Sequence, residues 1–287
     1  MHAERARLAP LLPGDGRPGG RWSVHRTVIN GIPFHLRTGV PWRDVPSQYG
    51  PWKTVHERHR RWSAGGTWDK ILRSLLAHAD AEDRIGWSMA GIDSTSCRAH
   101  QHAAGARTNA PRIPGRRAFP PRHRPDEGLG RSRGGLTSKI HLVGEGGRHP
   151  LAFSITPGQL DDAPQLVPVL ERLSVPRLTT GRPRTRPDHL SGDKACSSRR
   201  NRSYLRRCQI KHTIAEPRSE RANRQRRGRG GGRPVGFDKV IYKRRNEVEH
   251  TINSLKNFRA VATRYDKRAY VFHGTVALAA IRLWLRP

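Results

Sequence analysis

Acidic residues are scarce in this chain. Twenty-three Asp and Glu face 55 Lys and Arg in 287 residues, a formal net charge of +32. Such a body repels itself in water and calls for a polyanionic partner. Nucleic acid is the leading candidate, since Lys and Arg that neutralise phosphates release condensed counterions. Long apolar runs are also missing. The best, Val271 to Leu285, carries His273 and Arg282 and falls short of the roughly 20 apolar residues a membrane span needs, so no membrane partner is expected. The opening MHAERARLAP has no apolar stretch ahead of a small-residue cleavage site, which argues against a secretory leader. Only three cysteines occur, Cys97, Cys196 and Cys208, with no CxxC pair. A disulfide framework and a four-Cys zinc site both drop out, and a reducing cytoplasm is the expected setting. Apolar residues still make up 34%, enough for one or two packed cores and too many for a wholly disordered chain.

Residues 1–20 read as a flexible, turn-rich start, with three Pro and four Gly in PLLPGDGRPGG. Residues 21–84 read as a small helical domain. Val24, Val28, Ile29 and Ile32 recur at helical spacing, a second helix is predicted from about Lys53 to Ser63, and TWDKILRSLLAHA sets Trp68, Ile71, Leu72, Leu75 and Leu76 on one face. Two readings stay open for this unit: a DNA-binding module of helix-turn-helix type, or a plain helical cap. Residues 85–287 change to an α/β layout. WSMAGID reads as a strand closed by Asp93, KIHLVGE and LAFSITPG as a hairpin, and PDHLSGD as a strand closed by Asp193. DDAPQLVPVLERL reads as a helix capped by Asp161 or Asp162, residues 197–207 as a basic helix, and IKHTIAEP as a strand. A long helix is predicted from about Val240 to Phe258 and an apolar one from about Tyr270 to Trp284. Two segments read as basic loops: 104–135, with eight Arg and two acids, and 217–236, with seven Arg and one Glu, the second too charged to pack.

With acids so few, their placement carries information. Carboxylates at the ends of two neighbouring strands, Asp93 and Asp193, can point at one spot, where Mg²⁺ accepts one or two carboxylates with water and phosphate. A third acid is sought on the long helix. At about 100° per residue, Tyr242, Arg245, Glu249 and Lys256 share a stripe about 60° wide that borders the apolar face of Ile241, Val248, Ile252 and Leu255. Glu247 falls on the far side. Three converging carboxylates suit two-metal phosphoryl transfer. On spacing alone, Asp93 and Asp193 serve equally as strand-end turn residues, and Glu249 as half of a helix ion pair with Arg245.

The segments IDSTSCRAHQHAAGA, LGRSRGGLTSKIHL, PLAFSITPGQLDD, RPDHLSGDKACSSR and YKRRNEVEHTINSLKNFRAVATRYDK resemble the bacterial DDE transposases of insertion sequences, in the broad group of insertion sequences four and five. That group carries a helix signature of Tyr, Arg, Glu and Lys separated by two, three and six residues, met here by Tyr242, Arg245, Glu249 and Lys256. GIPFHLRTGVPWRDVPSQYGPWKTVHERHRRWSAGGTWDKIL is similar to the same group's helical N-terminal domain. The resemblance implies an RNase H-like fold, a mixed sheet preceded by helices. It implies Asp93, Asp193 and Glu249 as catalytic, metal-binding residues, Mg (or Mn) in two copies as cofactor, and DNA as partner, both transposon ends and target. It also implies a nucleoid-associated bacterial protein and a homodimer holding two ends together. The chain departs from the group after the Asp-Lys of the second motif, where Gly and an aromatic usually follow; here they are Ala195 and Cys196. Two rivals are a non-catalytic, transposase-derived DNA-binding protein and a metal-dependent nuclease of the same fold.

Further residues fill out the expected DNA path. Arg245 and Lys256 are assigned to phosphate, Tyr242 to positioning, and Lys194, Arg131, Arg133 and Lys139 to the walls. The Arg run at 218–233 is expected to contact phosphate without reading bases. His100 and His102 form an HxH pair with no second pair of ligands, so phosphate contact or loop packing is preferred over zinc. Tryptophans 22, 42, 52, 62 and 68 read as core, and Cys97 and Cys196 as small buried residues.

Overall fold

The computed structural model describes residues 9–13, 25–105 and 127–286. Three helices come first. α1 (His25–Thr38) buries Val28, Ile29, Ile32 and Leu36, one helical stripe. It ends at Gly39, whose φ of +64° only glycine adopts freely, with the Gly39 N–H donating to His35 O at 2.8 Å. α2 (Trp52–Ala64) and α3 (Thr67–Ala81) follow, and α3 buries Trp68, Ile71, Leu72 and Leu76 as the periodicity predicts. Trp62 and Trp68 meet edge to face at 5.1 Å inside the core, and Trp42 stacks on His35 at 3.6 Å. Trp22 lies outside the described residues.

The strands are β1 (Ala90–Ala99), β2 (Gly130–Ser132), β3 (Gly135–Glu145), β4 (Pro150–Pro157), β5 (His189–Gly192), β6 (Lys211–Ile214) and the short β7 (Thr263–Arg264). β1 and β4 flank β3 in antiparallel pairing; β5 runs parallel to β1, and β6 parallel to β5. The order β4-β3-β1-β5-β6, three antiparallel strands continued by two parallel ones, is the RNase H-like arrangement. Helices interleave: α4 (Leu166–Leu170), α5 (Arg199–Arg207), α6 (Arg218–Arg226), α7 (Lys239–Lys243), α8 (Asn246–Lys256), α9 (Arg259–Ala262) and α10 (Ala269–Leu285). α10 is buried on nearly every side, packed against α2 and α3 on one flank and β4 on another. At Gly274 an added Cβ would lie 2.0 Å from Ser63 Oγ, so α10 and α2 touch backbone to side chain. The N-terminal helices are thus a layer over α10, sharing one apolar core with the sheet.

Four sequence expectations give way. β1 does not close at Asp93 but runs on to Ala99, because nine register pairs with β3 keep its polar second half in the sheet. The helix predicted over 240–258 is broken. Asp238 caps α7 through the N–H groups of Val240 (2.8 Å) and Ile241 (3.1 Å). Arg244 and Arg245 then form a turn whose N–H groups reach back three residues, to Ile241 O and Tyr242 O. The segment 217–236 does pack in part. α6 docks through an ion pair of Arg224 with Glu216 (3.1 Å) and a bond from Ser197 Oγ to Glu220 (2.6 Å). Asp162 is no side-chain cap; its carboxylate takes Lys139 Nζ at 3.2 Å instead. Of the basic loop at 104–135, residues 106–126 lie outside the described ones, and β2 occupies part of the rest. Among the described residues no helix is long and apolar enough to cross a membrane.

His59 is buried between α2 and α10, its Nε2 3.1 Å from Thr275 Oγ1, and burial lowers its pKa to about 4. His141, buried in β3, is lowered to about 4 for the same first reason. Neutral imidazoles in the fold against an ordinary pKa near 6.5 in the unfolded chain mean that stability, full above about 6.5, is lost as pH falls toward 4. The melting temperature is therefore expected to fall across that window, and His59→Gln to flatten the fall. An equal fall in both proteins would refute the assignment.

Candidate active site

Asp93 lies on β1, and its carboxylate accepts the Ser94 N–H at 2.7 Å. Asp193 is the first residue past β5. The parallel register pairs Ile92 with Gly192, so the next residues on the two strands are these two acids, on chains about 4.8 Å apart. The Asp193 carboxylate accepts the Cys196 N–H at 3.1 Å and closes a short turn over Lys194–Cys196. Ala195 is exposed and Cys196 buried there, so the departure from the family pattern leaves the turn intact.

Glu249 arrives from α8. This helix lies against β1 and β3 at two glycines: a Cβ at Gly91 would come 2.7 Å from Val248 Cβ, and one at Gly144 3.1 Å from Thr251 Oγ1. Val248 is buried and Glu249, next to it, is turned outward over the strand. Between the acids stands Arg245. Its Nη2 donates to Glu249 Oε1 at 2.6 Å, and its Nη1 lies 3.6 Å from Asp93 Oδ2. Its guanidinium carbon is 5.6 Å from the Tyr242 ring centroid, so the helix break keeps these two together. At the far end of α8, Lys256 Nζ donates to Thr95 Oγ1 at 3.2 Å. Thr95 escaped the sequence reading, although its place two residues beyond Asp93 on a strand puts it on the same face.

Asp93 feels the charge of both other acids. Burial is the first cause lifting the Asp93 carboxyl to about 6, and the charges of Asp193 and Glu249 add to it, while the Ser94 N–H and Arg245 pull the other way. Arg245 is held above its ordinary value: burial works against its charge, and the bond to Glu249 outweighs that. Burial pushes the Cys97 thiol up to about 11, and burial plus Asp193 pushes Cys196 up as well, which suits inert packing.

The structure does not bring every expected residue here. Lys194 is exposed directly beside Asp193; Arg131, on β2, and Arg133, just beyond it, are exposed at the sheet's edge. Lys139 pairs with Ser96 and so faces the other side of the sheet from Asp93, its ammonium bound to Leu160 O (2.7 Å) and Asp162. His100 accepts the His102 N–H and stacks on Tyr265 at 4.7 Å. Among the described residues no three His, Cys, Asp or Glu stand close enough to hold a metal ion. At the expected triad the guanidinium of Arg245 bridges Asp93 and Glu249. The donor chemistry itself fits a hard divalent cation: all carboxylate oxygen, with excess negative charge that a cation relieves.

A mixed sheet of RNase H-like order under a layer of N-terminal helices is the architecture of the DDE nucleic-acid phosphoryltransferases. Residues 91–284 match the family described as transposase DDE domain, more than half the chain, and residues 2–72 match the putative transposases of the IS4/5 family. The chain belongs to the DDE-domain transposases and is a DNA transposase. Among similar proteins is an uncharacterised 16.2 kDa protein of insertion element IS402 from Burkholderia cepacia, 39% identical over 32% of this chain and 67% of that protein. The putative IS402 transposase of the same organism is 32% identical over 48% of this chain and 57% of its own length. The putative IS6501 transposase of Brucella ovis is 28% identical over 53% of this chain and its full length. Of solved structures, a pre-cleavage Mos1 transpososome aligns with 96% of this chain and 82% of its own at 11% identity, with a TM-score of 0.27 that adds nothing to the strand order.

Two outcomes follow from this geometry. A carboxyl raised to about 6 costs stability once pH rises past its ordinary value near 4, so Asp93→Asn is expected to raise stability at pH 7.5 by up to about 2 kcal/mol and to give no gain at pH 4. Denaturant titration at both pH values checks this. Gly91→Ala drives a methyl into Val248, and overpacking of this kind costs about 1–3 kcal/mol; an unchanged midpoint would show that α8 is free to shift.

Proposed function

We propose that this chain cuts DNA at transposon ends and joins the 3′ ends to a target, with Asp93, Asp193 and Glu249 as its catalytic residues. The observation that supports the reading best is the register Ile92–Gly192, which sets two acids side by side, together with the close seat of α8 on Gly91, which brings the third over them. Asp93, Asp193 and Glu249 would hold divalent cations, Mg or Mn, in a pair. Bound there, such ions supply Lewis-acid stabilisation of the attacking and leaving oxygens of an in-line displacement.

The chain's own residues do the rest. Asp93 and Asp193 present fixed negative charge on rigid strands. Arg245, poised between Asp93 and Glu249, is the nearest cation for the non-bridging oxygens of an entering phosphodiester, and the Tyr242 ring beside it limits where the guanidinium swings. Lys256, anchored by Thr95, and exposed Lys194 flank the acids for phosphates on either side. Arg131 and Arg133 extend the same charge along the sheet edge. With water as nucleophile, one phosphodiester is hydrolysed to a 3′-hydroxyl and a 5′-phosphate. With that 3′-hydroxyl as nucleophile, a target phosphodiester is exchanged for a new one and the target strand's 3′-hydroxyl leaves; neither step makes a protein–DNA bond. A homodimer, one subunit per transposon end, suits a reaction that must hold two ends.

A strand-transfer assay with Mg²⁺ or Mn²⁺ decides. The wild type is expected to nick and join. Asp93→Asn and Glu249→Gln are expected to lose both steps by at least about a hundredfold, as when transition-state charge stabilisation is removed, while still retarding DNA. Hydrolysis without joining points to a nuclease, retardation without cleavage to a binding protein, and activity surviving both substitutions to a different triad.

A further inference from the structure

Two arginine-rich helices stand just beyond Asp193, and one of them is held in place by its acids. Ser197, four residues after Asp193, donates to Glu220 of α6 at 2.6 Å and accepts from Arg202 Nη2 of α5 at 2.8 Å. Arg202 is buried and also donates to Ile214 O at the end of β6 (3.3 Å). A second tie joins Arg224 to both oxygens of Glu216, at 3.2 and 3.1 Å. Both acids of this segment are thus consumed by docking. At about 100° per residue with Glu220 as zero, Arg224 falls near 40° on the docked face, Arg218, Gln225 and Arg226 fall near 160°, 140° and 240° on the far side, and Arg221 near 100° on the flank between them. Arg218, Arg221 and Arg226 are exposed and make no ion pair among the described residues; Arg221 lies in the field of Glu216 without pairing to it. From Arg218 to Arg226 the rise is about 12 Å, room for roughly three phosphates of one strand at about 3.4 Å each.

We propose that α6 is a preformed phosphate ledge for the DNA duplex flanking the cut site, tied through Glu220, Ser197 and Arg202 to the segment that carries Asp193. The inference rests on the DNA-joining reading above but uses different residues. A short helix offering exposed arginines grips the backbone whatever the sequence. The tie makes the ledge rigid with respect to Asp193, so a duplex seated on α6 enters the site at a set distance instead of being gathered by a loose basic tail.

Equilibrium DNA binding across a salt series tests this, with a transposon-end duplex and a random duplex of equal length. The variant carrying Arg218→Gln, Arg221→Gln and Arg226→Gln keeps helix formers and the docked face. Removing one phosphate-bound cation lowers the slope of log K against log salt by about 0.9. With three arginines removed, the slope is expected to drop by about 2.7 for both duplexes alike. An unchanged slope, or a loss confined to one duplex, overturns the ledge. The tie has a sharper test. Glu220→Ala removes the acceptor of the Ser197 hydroxyl and makes the protein more positive, so charge alone predicts tighter binding; the ledge predicts weaker binding, at least threefold, with an unchanged melting temperature. Tighter binding overturns the coupling. Asp93→Asn should leave the salt slope as it is, so loss of the ledge and loss of the triad are told apart: an intact slope in the arginine variant sinks only the former, and cleavage by Asp93→Asn only the latter.

Discussion

The burial of the Asp93 carboxylate, with two further acids in its field, is the constraint around which the site is arranged. β1 and β5 are parallel and in register up to Ile92 and Gly192, so Asp93 and Asp193 cannot avoid each other. Glu249 adds a third negative charge from α8. In a chain with so many cations to choose from, one guanidinium is set between Asp93 and Glu249, and the carboxyl of Asp93 still stays far above its ordinary pKa. A protein selected for stability alone would place an amide there. The surrounding structure carries the cost through nine β1–β3 register pairs and the close seat of Val248 on Gly91, which fix the backbone that bears Asp93.

How the acids are spent follows the same logic. Outside the site, most described carboxylates close a joint. Glu57 takes both Arg60 and Arg61; Asp69 meets His273 across the layer of N-terminal helices; Glu145 gathers the N–H groups of Gly86, Gly147 and His149 at the opposite end of the sheet; Glu127 receives Arg268 and the first N–H of α10. The cations so neutralised are structural, and the exposed surplus is what a polyanion meets.

Much of this was legible in the residues, for identifiable reasons. The α3 stripe and the burial of α10 are plain because apolar periodicity reports packing directly. Asp193 reads correctly because β5 really does end there. β1 beyond Asp93 was hidden, since Ser94, Thr95, Ser96 and Arg98 are polar and the single fully buried residue among them, Cys97, makes no apolar rhythm. The break before α8 was hidden because Lys243 to Asn246 are all acceptable in a helix; only the backbone bonds at Arg244 and Arg245 reveal it. The docking of α6 was hidden because a count of charges ignores where two acids sit: at 216 and 220 they meet Arg224 and Ser197, and a segment read as unpackable becomes a helix.

The touch between Ser63 and Gly274 joins stretches made more than two hundred residues apart. Until α10 leaves the ribosome, the sides of α2 and α3 that it covers have only each other and α1 to lie on, and Trp62 and Trp68 lack the helix that closes over them. A chain cut short anywhere before residue 269 would therefore be an aggregation hazard rather than a smaller working protein, and the cell has reason to sequester or degrade such fragments.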